Sequence, residues 1–463
     1  MFSKLTDIEL EWKVVLNPRE EKNMGKKKSL ITRRQFLQLS TIAGATMVTG
    51  CAVNPVTGEN QLMMVSRETE ISMDQQQSPY QFSTDYGTLQ NNHINDYIAG
   101  IGNRLASKTH RPDMPYSFRC VNATYVNAYA FPGGSIAVTR GILLKISNEA
   151  ELAALLGHEL GHVNARHSAE QMSKASISSL LIGGVSAVIG ARNSQLGDLA
   201  QQIGMVGQGA LLARYSRDNE READALGNQY LVASGYSTDG FVGLMALLNR
   251  MNEGHSDASQ ILFSTHPMSS ERYESAIAMA GGKYAHSRTS PLYRERYMDT
   301  IAPLRAQEKL VIALQEGDAF MGGKKYDQAR ASYQRAVKMD GRDYTARVVL
   351  ARCLLVQKNY KDAYTHARRA HDIYPTEGQA CQVAGFAAIK LKKYNNALQY
   401  FNIYDRLLPG NPTIVFFKGY SLDGMHQVKP AAKQYAAYLG KVQQGDYAAH
   451  AYKRLKNWGY IKK

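Results

Sequence analysis

NEAELAALLGHELGHVNARHS, residues 148–168, is the stretch on which both fold and chemistry turn. Ala153, Leu155, Leu156, Leu160 and Val163 fall at helical spacing. The segment therefore reads as a helix, with His158 and His162 at i and i+4 on one face. Two imidazoles one turn apart can bind a single tetrahedral zinc ion. Glu159 sits beside the first of them, where its carboxylate reaches a water activated by that ion without being a ligand. From there it can take the water's proton and deliver it to a leaving amine.

A His-Glu-x-x-His pattern alone arises by chance in many helices, and a tetrahedral site needs a third protein ligand. Residues 214–227, RYSRDNEREADALG, supply a candidate. Glu220 and Asp224 share a helical face at i, i+4, and Ala223, Ala225 and Leu226 favour the helix. Glu220 can complete a His, His, Glu set. Asp224 can accept a hydrogen bond from a ligand histidine and fix its tautomer. Without the upstream segment, Glu220 reads as one exposed carboxylate among the alternating charges of Arg217, Asp218, Arg221 and Glu222.

The two segments together resemble peptidase family M48, zinc peptidases in which His-Glu-x-x-His is followed by Glu-x-x-x-Asp on a later helix. Asn54-Pro55-Val56-Thr57-Gly58 with Gln61-Leu62, Asn127 to Gly134, Ile136 to Gly141, and Thr265-His266-Pro267 through Arg272 extend the resemblance over residues 54–275. It implies an α+β fold, with a mainly helical zincin-type domain and a small β-sheet. It implies one zinc ion per chain on His158, His162 and Glu220, with Glu159 as base and Asp224 behind a ligand. For His266 it implies either an auxiliary group for the tetrahedral intermediate or a fourth ligand that silences the site. Arg272 would stabilise the oxyanion or anchor its loop. His167 reads as a structural residue.

Asn127, Ala128, Tyr129 and Ala130 also have a reading of their own. Tyr129 and Phe131 alternate with the two alanines before Pro132 and two glycines end the run, as in an edge strand. Such an edge can bind an extended substrate by adding it as a further strand, with little sequence preference. A buried hairpin strand is the alternative. For residues 175–191, ASISSLLIGGVSAVIGA, the resemblance implies a mobile helical lid over the cleft, which Gly183-Gly184 could hinge; the alternative is a membrane-inserted segment of marginal length.

Residues 26–51, KKKSLITRRQFLQLSTIAGATMVTGC, have the layout of an export signal. Thr32-Arg33-Arg34-Gln35-Phe36-Leu37 resembles a twin-arginine signal, and Val48-Thr49-Gly50-Cys51 a lipobox, which makes Cys51 the expected site of lipidation. The apolar core from Phe36 to Val48 is short for a transmembrane anchor. Ala52 after the cysteine favours the outer membrane by the usual bacterial sorting rule. Met24, immediately before the cationic stretch, is the expected start. Cys120, Cys353 and Cys381 form neither a Cys-x-x-Cys site nor a disulfide framework.

Beyond residue 305 a period of 34 emerges: Tyr326, Tyr360, Tyr394 and Val428, and likewise Ala329, Ala363, Ala397 and Ala431. This is the tetratricopeptide pattern, an all-α solenoid of four units whose last and weaker unit could cap the array. The domains are thus expected at 1–51, 52–304 and 305–463. The third holds 27 Lys and Arg against 12 Asp and Glu, whereas residues 51–304 hold 19 against 23. Such an array is expected to bind a protein partner, and its charge suggests an acidic or anionic one; no nucleic acid is expected. The expected function is that of a zinc endopeptidase, lipid-anchored in the bacterial periplasm, which degrades misfolded or stalled envelope proteins. The alternative is an assembly factor or chaperone with latent peptidase activity. The architecture resembles periplasmic family members with such repeats, which usually have a simple cleavable signal.

Overall fold

The computed structural model describes residues 51–56, 58, 60–62, 65–173, 215–254 and 257–461. The expected export signal before Cys51, the uncharged stretch 175–191 and His255 lie outside them. Among the described residues no helix is long and apolar enough to cross a membrane.

Two three-residue strands, β1 (Cys51–Val53) and β2 (Asn60–Leu62), precede helices α1 (Arg67–Thr84) and α2 (Asn92–Ala106). Each helix starts on a side-chain cap: Ser66 accepts from the Thr69 amide, and Asn91 from that of Ile94. Strands β3 (Ser117–Val121), β4 (Ala128–Ala130) and β5 (Ser135–Thr139) then form a sheet in the order β3-β5-β4. β3 runs parallel to β5 and β4 antiparallel to it, so β4 is an edge strand, as its alternation suggested. Its two faces differ. Ala128 and Ala130 join the main core, while Tyr129 packs with Phe82 and Phe131 on the other side.

Helices α3 (Arg140–Leu143), α4 (Glu149–Asn164), α5 (Arg217–Ala233) and α6 (Asp239–Gly254) follow. α4 is the axis of the core, with every residue buried. Asn148 caps it by accepting from the Glu151 amide at 2.9 Å. Ser216 and Asn219 form a reciprocal capping box on α5. The shorter helices α7 (Gln260–Thr265), α8 (Ser270–Gly281), α9 (Arg294–Thr300) and α10 (Ala302–Arg305) lead to the repeats.

The repeats are four helix pairs: α11 (Glu308–Gly322) with α12 (Tyr326–Met339), α13 (Tyr344–Val356) with α14 (Tyr360–Ile373), α15 (Gly378–Lys390) with α16 (Tyr394–Leu407), and α17 (Pro412–Gly424) with α18 (Val428–Leu439). The turn within each pair contains one left-handed residue: Lys324, Lys358, Lys392 and His426, with φ between 57° and 62°. The next amide then reaches back to the carbonyl five residues earlier, as Lys325 does to Phe320 at 2.8 Å. The period of 34 is therefore a period in backbone geometry as well as in sequence. The fourth pair is complete, and a separate helix, α19 (Asp446–Asn457), packs on α18 at the end. This corrects the expectation that the weaker fourth unit is itself the cap.

Ala52–Lys463 form one compact unit, in which the repeats grip the preceding segment. Arg140 makes a buried ion pair with Asp343 at 2.7 Å. Thr124 donates to Asp318 at 3.3 Å, and Ser83 to Glu377 at 2.5 Å. These partners lie on, or cap, the first helices of the first three pairs. The helices expected to receive a partner thus meet this chain's own residues.

Three carboxyls at this contact are buried without a full countercharge. Burial pushes Asp85 and Asp318 up to about 6, and Glu377 up to about 7. Each binds its proton more tightly in the folded chain than in the unfolded one. Their stabilisation is therefore complete below about pH 4 and is lost as pH rises through 6 to 7. Asp318→Asn should flatten the fall of Tm between about pH 4 and 7. An unchanged slope would show that Asp318 does not titrate in this way.

Candidate metal centre

Three glycines set the crossing of α4 and α5. A Cβ on Gly157 would lie 2.9 Å from the Gly227 carbonyl oxygen, and one on Gly161 2.8 Å from that of Ala223. A Cβ on Gly227 would lie 2.8 Å from the His158 amide nitrogen. The helices therefore meet backbone to backbone, and Glu220 on α5 reaches the histidine pair on α4.

The side chains of His158, His162, Glu220 and His266 converge, with one donor atom from each within 4.8 Å of all the others. His162 Nε2 lies 3.1 Å from His158 Nε2 and 3.4 Å from Glu220 Oε1. His158 Nε2 is 3.5 Å from Glu220 Oε2. His266, at the end of α7, brings Nδ1 to 3.0 Å from Glu220 Oε1 and 3.4 Å from His158 Nε2. Buried nitrogen and carboxylate oxygen donors aimed at one point suit zinc. His266 thus lies among the possible donors and also 3.9 Å from Glu159, a placement that fits either role open to it.

The second nitrogens of the histidines are also engaged. His158 Nδ1 lies 2.9 Å from Asp224 Oδ1, and His162 Nδ1 lies 2.9 Å from His167 Nδ1. His167 in turn reaches Glu222 at 3.2 Å, so it stands behind His162 rather than in the cluster. Tyr215 stacks on His162 with ring centroids 3.7 Å apart. Arg272 donates through Nε and Nη2 to Asp224 at 2.6 and 2.7 Å, and its Nη1 lies 2.7 Å from Glu220. A third donation goes to the Pro267 carbonyl at 2.9 Å. Of the two roles open to Arg272, these contacts with two carboxylates and its own loop favour anchoring.

Electrostatics separate the three acids. Burial works against ionisation of Asp224 and Glu220, yet Arg272 and His158 hold Asp224 below the usual carboxylate range, and the three histidines hold Glu220 well below it. Glu159 goes the other way, since burial raises it more than His266 and His158 lower it. Its Oε1 is 3.9 Å from His266, and its Oε2 has no hydrogen-bond partner among the described residues.

β4 lies against α4, and Ala130, His162 and Tyr215 line a small gap there with no room for a water molecule. Asn127, just before β4, is fully buried, and neither polar atom of its side chain is bonded among the described residues. Sequence reasoning missed Tyr215 and the glycines. The Gly157-x-x-x-Gly161 spacing in a helix otherwise rich in Ala and Leu was the available signal for the latter.

Comparison with known proteins agrees with this geometry. Residues 92–280 match Peptidase family M48, and residues 314–377 match the tetratricopeptide repeat. Metalloprotease YcaL of Escherichia coli (strain K12) is 36% identical over 162 residues, 34% of this chain and 59% of that protein. The beta-barrel assembly-enhancing protease of Yersinia pestis is 27% identical over 264 residues, 51% of this chain and 53% of that protein. The chain thus spans between half and three fifths of these relatives. Residues 92–280 form a peptidase domain of family M48, and tetratricopeptide repeats follow it.

Proposed function

We propose that the chain is a zinc-dependent endopeptidase of the bacterial cell envelope that hydrolyses misfolded or stalled envelope proteins. The observation that carries this reading is the convergence of His158, His162 and Glu220 beside Glu159, whose Oε2 has no hydrogen-bond partner among the described residues. Zinc bound there would lower the pKa of a water molecule and polarise the scissile carbonyl. Asp224 and His167 orient the two ligand histidines. Arg272 keeps Asp224 and Glu220 ionised and ties the His266 loop to them. Glu159 takes the water's proton and gives it to the leaving nitrogen. Ala128, Tyr129 and Ala130, with Asn127 just before them, form the edge strand β4, which pairs only with β5 among the described residues and to which an extended substrate would add.

His266 favours a second reading, an assembly factor with latent peptidase activity. Four protein ligands around a tetrahedral ion leave no position for water or substrate. In this reading the peptidase rests until His266 withdraws. The relatives named for β-barrel assembly support the envelope setting. Twin-arginine export, lipidation at Cys51 and an outer-membrane location belong to the same proposal, as does recruitment of an acidic partner by the basic repeats.

A metal series tests the ligands. The purified chain should hold one zinc ion, which Glu220→Ala loses on dialysis against a chelator and His167→Ala keeps. His266→Ala should also keep it and should hydrolyse unfolded casein several-fold faster. Zinc retention by Glu220→Ala would reject the ligand set. Slower hydrolysis by His266→Ala would make that residue a catalytic auxiliary.

A further inference from the structure

Asp85 follows the last residue of α1 and is fully buried, yet it forms no ion pair among the described residues. Its carboxylate accepts from Tyr129 at 2.6 Å, Tyr125 at 2.8 Å and Gln81 at 3.0 Å. Tyr129 is the central residue of β4. A three-residue strand has few ladder bonds to fix its own position, and a phenol bound to a carboxylate is about twice as strong a tie as a neutral hydrogen bond.

The segment that carries Asp85 is held from the other side by the repeats. Ser83 donates to Glu377 at 2.5 Å and accepts from Gln379 at 3.3 Å. Tyr86 and Gly87 are both left-handed, with φ of 65° and 77°, which turns the chain into the repeat core. The Tyr86 ring is buried there, and its hydroxyl accepts from Arg352 at 3.3 Å. A Cβ on Gly87 would lie 2.9 Å from both Glu377 and Tyr374. Only glycine fits so close to the repeats at that φ.

We propose that Asp85 is a positioning residue for the peptidase: it fixes the substrate strand β4 through Tyr129 and ties that strand to the docked repeats. The proposal rests on the reading of β4 as the substrate edge. Asp85 grips the Tyr129 face of the sheet, opposite the Ala128 and Ala130 face, so it touches neither metal nor substrate. The repeats thereby act on the reaction from within the chain, by holding the strand to which substrate adds.

The test uses the full chain and an extended fluorescent peptide. Asp85→Asn should raise KM about tenfold with kcat within about twofold, the effect of losing one such bond, and zinc content should not change. In the Glu159→Gln background, peptide affinity measured by anisotropy should fall by the same factor. Tyr129→Phe keeps the ring and should shift KM in the same direction. Ser83→Ala should also raise KM, and less than additively with Asp85→Asn. Should Asp85→Asn fail to fold, Tyr129→Phe and Ser83→Ala decide the question. A lower Tm with unchanged KM and peptide affinity would overturn the proposal. If native chain and Glu159→Gln hydrolyse alike, the peptidase reading fails instead, and the affinity measurements still decide the role of Asp85.

Discussion

Glu159→Gln should cut hydrolysis of an unfolded substrate by about three orders of magnitude while leaving bound zinc unchanged. The two halves of this expectation rest on different features. Glu159 is adjacent to His158, but its carboxylate is not among the four groups whose donor atoms converge. Its removal therefore should not open the site to metal loss. Its buried carboxylate is raised in pKa by desolvation, and its Oε2 has no partner among the described residues, which suits a base that must also release its proton. Gln fills the same volume and cannot carry a proton. Metal analysis with turnover on casein checks both halves. More than about a tenth of the native rate would remove Glu159 from the proton-transfer role. Complementation separates the two functional readings: a Glu159→Gln chain that fully replaces the native one in cells would make hydrolysis secondary to assembly.

The helix carrying the histidine pair and the four-fold repeat were legible because each is a local pattern. Apolar spacing around His158 and the recurrence of Tyr326, Tyr360 and Tyr394 depend only on residues within one or two turns or one period. β4 was legible for the same reason. His266 was recognisable only by resemblance, since a lone histidine before proline has no intrinsic signature, and its approach to Glu220 spans 46 residues of chain. The partners of Arg272 were not legible, because its sequence neighbours do not include Asp224, 48 residues away, which binds its guanidinium. Asp85 carries no signal of its own in the sequence. What makes it different is that Tyr129 comes from a strand 44 residues later, and that the Ser83–Gly87 segment meets repeats almost 300 residues away. Contacts of that separation leave no period in the sequence. The same holds for the docking of the repeats: the pattern specifies a solenoid, and which surface its first helices bind is decided only when the fold is complete.

Gly161→Val should abolish zinc binding although it touches no ligand. At this position a Cβ would sit 2.8 Å from the Ala223 carbonyl oxygen and 2.9 Å from its Cα, both backbone atoms of α5. Relief to ordinary contact distance requires the helices to separate by about 1 Å. Metal ligation tolerates errors of about 0.2 Å, so Glu220 would be carried several times too far from the histidines. Overpacking of this kind costs about 1–3 kcal/mol and can cost more where backbone must move. Propensity is not the cause, because valine is a better helix former than glycine. Gly100→Val provides the control, as Gly100 lies in α2 with nothing within 4 Å of its added Cβ. The control should keep both Tm and zinc, while Gly161→Val loses metal and melts earlier. If Gly161→Val retained full zinc, the backbone-to-backbone crossing would not be what places Glu220, and the flexibility of the α5 side chains would have to do so. If it melted normally but lost zinc, the crossing would be shown to set the site without holding the domain together. Either way the measurement separates the helix geometry from the chemistry of the ligands, which substitutions of His158, His162 or Glu220 cannot do.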